Sequence, residues 1–90
     1  MYKYYKDTNP VPVNHKDFGK VNCLFRVKGY TVERYAGLER WIVPPFAGQV
    51  LLDISGAGGG WATIDEVTPE EAEEIKRQLF DKDGDRIAPV

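Results

Sequence analysis

This chain has little of what most small-protein chemistry requires. Of its 90 residues, one is cysteine and one is histidine. A lone Cys23 forms no internal disulfide, so the reading is of a reducing, cytoplasmic protein. A lone His15, with no second histidine or cysteine at ligand spacing, falls short of the three or four ligands that zinc takes, and no metal or cofactor is expected. No G-x-S-x-G nucleophile motif occurs. No apolar run approaches bilayer length and the first residues show no secretory leader, so no membrane association is expected. Cys23 and His15 could be imagined as a catalytic pair. However, Cys23 falls on the apolar face of a strand pattern, where thiols behave as small core residues. The chain reads as a non-enzyme.

What is present is an ordinary globular composition, 42% apolar and 29% charged, with five Tyr, four Phe and two Trp. Ninety residues make a single domain, 1–90, with a modest core to which large rings contribute disproportionately. The net charge of −2 hides an asymmetry. Residues 1–40 hold eight Lys/Arg against four Asp/Glu, and residues 41–90 hold four against ten. Either the fold keeps a basic and an acidic end, or the halves interleave in one sheet and neutralise each other.

Along the chain, Tyr2-Lys3-Tyr4-Tyr5-Lys6 suits an edge strand, because Tyr favours strands and Lys discourages edge pairing. The prolines at 10 and 12 break regular structure, so 1–20 reads as an edge strand or an irregular arm. Val21 to Lys28 is the clearest strand. Val21, Cys23, Phe25 and Val27 share one face, and Leu24 is the apolar exception on the other. Lys28-Gly29 marks a turn. Tyr30 to Pro44 reads as a hairpin with a two-residue type II′ turn at Gly37-Leu38, which sets Val32 opposite Val43, Arg34 opposite Trp41 and Tyr35 opposite Arg40. Val50, Leu52 and Ile54 alternate, predicting another strand. The glycine run at 56–60 and a strand from Trp61 to Asp65 follow. A helix from Pro69 to about Phe80 opens on a Thr68/Glu71 capping box with Pro69 in its first turn. It buries Ala72, Ile75 and Leu79, and an i,i+4 pair of Glu73 with Arg77 supports it. Residues 81–90 read as a polar tail. The expected fold is α+β: a small antiparallel sheet of four to five strands with one C-terminal helix packed on a face.

Two motifs invite a ligand and fall short. Gly56, Gly58 and Trp61 break the G-x-G-x-x-G pattern, and no P-loop Lys-Ser/Thr follows. Asp81-Lys82-Asp83-Gly84-Asp85 places its glycine at position four, whereas a calcium loop needs it at six and a glutamate at twelve. The strongest functional signal is aromatic and cationic. Arg34, Tyr35, Arg40 and Trp41 flank the proposed turn, and Tyr2, Tyr4 and Tyr5 add a second patch. Trp, Tyr and Arg dominate protein-interface hot spots. The competing structural reading places Trp41 and Tyr35 in the core with arginines lying over them.

The leading expectation is a small binding protein that docks on another protein, as a phage-type inhibitor or a regulator of a nucleic-acid-handling complex would. A second is single-stranded nucleic-acid binding through the Tyr/Lys-rich first half, against which the sequence pI of 5.3 weighs. A third is an oligomeric small-ligand or nucleotide domain using the loop at 56–60. A homodimer would use the same exposed aromatics.

Overall fold

The computed structural model describes residues 1–8, 14–16, 19–55 and 64–87. The elements are β1 (Lys3–Thr8), β2 (Val21–Lys28), β3 (Thr31–Tyr35), β4 (Trp41–Ile42), α1 (Ala47–Ser55), β5 (Ile64–Val67) and α2 (Pro69–Leu79). All strand pairs are antiparallel, in the order β4-β3-β2-β1-β5. The α+β class holds, and among the described residues there are two helices where one is expected. The prolines at 10 and 12, the glycine run at 56–60, Trp61 and Val90 lie outside the described residues.

The strand β2 explains the architecture. Leu24 and Phe25 are consecutive, so their side chains leave the sheet on opposite faces, yet both are completely buried. Leu24 packs with Tyr35, Val67, Ala72, Ile75 and Leu79 under α2. Phe25 packs with Val32 and Val50, where α1 covers the other face. The sheet is therefore sandwiched. Val21 joins the α2 side, away from the face shared by Cys23 and Phe25, where an irregularity between Asp7 and Thr8 shifts the β1–β2 register.

The segment 48–55 is a helix, not the strand its alternation predicts. Ala47, Val50, Leu51 and Ile54 recur at i, i+3, i+4 and i+7, and these are the residues packed inward. Leu52, the centre of the expected alternation, is 49% exposed. Short apolar runs fit both periods, and contact with Phe25 and Val32 selects the helical one. The expected edge strand at the N-terminus is interior: β1 pairs with β2 on one side and β5 on the other. This placement also interleaves the basic and acidic halves, since Lys6 lies opposite Asp65 and meets Glu71 at 3.4 Å.

The hairpin register differs from the expected one by one residue. Arg34 pairs with Ile42 and Tyr35 with Trp41, and Arg40 N–H donates to Gly37 C=O at 3.0 Å. Leu38 and Glu39 form the turn centre at φ 53° and 57°, the double left-handed geometry of a type I′ turn. Neither residue favours it locally. Tertiary contacts hold it: Glu39 N–H donates to the Tyr35 hydroxyl at 3.2 Å, and the Glu39 carboxylate accepts from Lys76 Nζ at 3.0 Å.

The helix α2 follows the sequence closely. Thr68 Oγ1 accepts from Glu71 N–H at 3.1 Å, with Pro69 at its start. The expected Glu73–Arg77 pair is replaced: Glu73 meets Lys76 at 2.9 Å, while Arg77 lies 3.8 Å from Glu74. Beyond α2 the chain turns back. Asp81 Oδ1 accepts from the N–H groups of Asp83 and Asp85 at 2.9 and 3.0 Å, and Arg86 bridges to Phe80.

Gly84 sits at φ +82°, and a Cβ there would lie 2.6 Å from Leu38 Cγ. Gly29 sits at φ +62° with open space around it. Gly84→Ala should destabilise the protein by more than about 1 kcal/mol, from backbone strain and the clash together. Gly29→Ala carries only the backbone cost. Urea denaturation should therefore rank Gly84→Ala below Gly29→Ala, and equal midpoints would refute the Leu38–Gly84 packing.

Candidate functional site

Strand alternation divides the seven candidate residues. Tyr2, Tyr4, Tyr35 and Trp41 gather on the α2 side of the sheet. The Tyr35 and Trp41 rings lie 5.1 Å apart nearly edge-on, Tyr4 is 6.2 Å from Trp41, and Phe80 meets Tyr35 at 5.5 Å. Tyr35 is buried and Trp41 half-buried. Tyr5 is on the opposite face beside Val27, Leu51 and Ile54. Arg34 also points to that side, one position along β3 from Tyr35. Arg40 stays in the loop, where its guanidinium donates to the carbonyls of Gly37 and Ala36 at 3.2 Å each.

Two cations that sequence reasoning did not single out organise the aromatic cluster. Arg26 lies 4.2 Å from the Tyr2 ring centre and 4.4 Å from that of Trp41, with its Nε 2.9 Å from Glu33. Each such stacking contact contributes about 0.5–2 kcal/mol. Lys76 sits 5.3 and 5.5 Å from Tyr35 and Trp41 while bridging Glu39 and Glu73. Burial disfavours its charge, but hydrogen bonds and charge from both glutamates outweigh burial and raise its pKa. Arg26 was readable as the cation on Leu24's face. Its position between two rings depends on β1 and β4 lying on either side of β2–β3.

Another set of exposed apolar residues lies at the sheet edge. Ile42, Val43 and Phe46 are 43%, 65% and 47% exposed. They occupy the β4 edge of the sheet and the turn leading into α1.

Beside them is a cavity of about 510 Å³, lined by Arg34, Arg86, Asp7, Cys23, Phe46 and Phe80 among others. Cys23 Sγ donates to Asp7 Oδ2 at 3.6 Å. Burial, then the adjacent Asp7 charge and hydrogen bond, push the thiol pKa up to about 12, against weaker opposing pulls from Arg34 and Arg86. Among the described residues no group of three or more His, Cys, Asp and Glu could hold a metal ion, and no helix is long and apolar enough to cross a membrane. Asp81, the first ligand of the calcium-loop reading, spends one carboxylate oxygen on its own turn. Comparison with protein families, curated proteins and solved structures finds no match.

A raised thiol pKa favours the fold below the unfolded value of 9.0 and withdraws that support as pH rises towards 12. At pH 8 the native thiolate fraction should be on the order of a thousandfold below that of an unfolded chain. Iodoacetamide labelling, read by mass spectrometry with and without urea, should show strong native protection. Equal rates would refute the assigned environment.

Proposed function

We propose that this chain is a small non-enzymatic binding protein that docks on another protein, and that it does so along the outer edge of β4. The observation carrying this reading is the exposure of Ile42 and Val43 at that edge, followed by exposed Phe46 in the turn leading into α1. An open edge strand offers backbone groups to an added strand, and flanking apolar side chains give that addition affinity and register. Trp41 on one side and Arg34 on the other border the strip with residue types that dominate hot spots. The occupant is an extended apolar segment of a partner protein. It lies against Ile42 and Val43 and ends near Pro44, which stops the ladder. The protonated state of Cys23 supports the non-enzymatic part of the reading.

Stacking of nucleic-acid bases is the weaker reading. The faces of Tyr2 and Trp41 nearest Arg26 are already occupied by its guanidinium, so a base stacking there has to displace a cation that Glu33 also holds. Counterion release distinguishes the two, because phosphate contacts weaken steeply with salt.

Pull-downs from source-cell lysate with wild-type protein, Val43→Asp and Leu52→Asp, each with and without nuclease, test the proposal. A stoichiometric protein partner should survive nuclease, persist with Leu52→Asp and be lost with Val43→Asp, while all three proteins melt cooperatively. A partner retained by Val43→Asp would remove β4 from the interface. Recovery that disappears with nuclease would replace the protein partner by nucleic acid. Self-association abolished by Val43→Asp would make the occupant a second copy.

A further inference from the structure

We propose that the cavity between β3 and the returning C-terminal segment binds a small carboxylate carried on a flat aromatic body. This goes beyond protein docking and does not depend on it, although Phe46 borders both surfaces.

The cavity's volume, about 510 Å³, falls in the range of small-molecule sites, about 300–1,000 Å³. Among the described residues that line it, the charged side chains are Arg34, Arg86 and Asp7. Two guanidiniums facing one space favour an anion, and a planar carboxylate meets a guanidinium through paired hydrogen bonds. The thiol at the cavity wall adds no charge at neutral pH, since it stays protonated.

Both arginines are placed to serve. Arg34 is half-buried, and among the described residues it has no ion-pair partner. A guanidinium removed from water without a carboxylate partner is costly, and an incoming carboxylate offsets that cost through paired hydrogen bonds. Arg86 is held in place by donation from Nη2 to the Asn22 carbonyl and by packing 5.7 Å from the Phe80 ring. Among the described residues its other guanidinium N–H groups have no protein acceptor and can donate to a ligand. Asp7 is engaged with the Cys23 thiol.

The aromatic part of the ligand follows from the walls. Phe46 and Phe80 line the same space as the arginines, and Phe46 is 47% exposed. A ring placed against Phe46 buries apolar surface on both partners and gains offset or edge contacts. A carboxylate alone would leave that wall wet.

The test is a titration of the ¹⁵N-labelled protein with benzoate, with benzamide and acetate as controls. Benzoate should shift the amide signals of Cys23, Arg34 and Phe80 saturably. Benzamide, which keeps the ring, and acetate, which keeps the charge, should each bind at least about tenfold more weakly. Arg34→Gln and, separately, Arg86→Gln should weaken benzoate by a similar factor while unfolding cooperatively, so that one variant serves if the other does not fold. Equal binding of benzoate and benzamide, unchanged affinity in both variants, shifts confined to another surface, or no saturation would each overturn the assignment.

Discussion

Everything in this molecule depends on two neighbouring side chains, Leu24 and Phe25, both wholly removed from water. Consecutive residues of a strand cannot share a face, so a sheet holding both must be covered twice. The helix α2 supplies one cover and α1 the other. Each buried large apolar side chain contributes about 1.5–3 kcal/mol, which a domain this small cannot forgo. The same requirement places β1 beside β2, because β2 must be flanked on both sides before its two faces can be sealed.

The parts legible in the sequence are those whose local signals agree with their surroundings. Thr68, Pro69 and the Ala72-Ile75-Leu79 stripe specify α2 without help from the rest of the chain, and β2 was visible from its alternation. The exception in that alternation, Leu24, was the real clue to a second layer. With one covering helix it is an exception to the alternation, and with two it is a core residue like Phe25. The misreading of 48–55 has the same origin: Val50 and Ile54 fit a strand with Leu52 and a helix with Ala47 and Leu51. Only the need to cover Phe25 decides between them.

The hairpin register was illegible for a different reason. A turn centred on Leu38 and Glu39 contradicts the propensities of both residues. Lys76, the Tyr35 hydroxyl and the close fit of Leu38 over Gly84 hold it, and these groups lie far along the chain or arrive through the fold. One residue of register then determines which side of β4 each residue occupies. It places Trp41 beside Tyr35 and leaves Ile42 on the face of Arg34. The candidate site split accordingly, since residues adjacent in sequence project to opposite faces of a strand.

The split locates the surfaces available for recognition. On the α2 side, Arg26 and Lys76 fill the spaces between the rings and Glu33, Glu39 and Glu73 balance them, so the aromatics there mostly satisfy one another. On the α1 side, among the described residues, the helix packs over Phe25 and Val32 and not over Arg34. The helix starts at Ala47, after Pro44 and Pro45 have carried the chain away from β4, and it covers Phe25 and Val32. Arg34, at the far end of β3, lies beyond that cover. The Asp81–Asp85 turn brings Arg86 towards the same gap without closing it. The β4 edge lies beside this end of the sheet, and the arginine-lined cavity opens between it and the Tyr35–Phe80 pair of the α2 side. A short helix crossing one face of a five-stranded sheet cannot cover both of its ends, and among the described residues the end beyond α1 carries cations and rings.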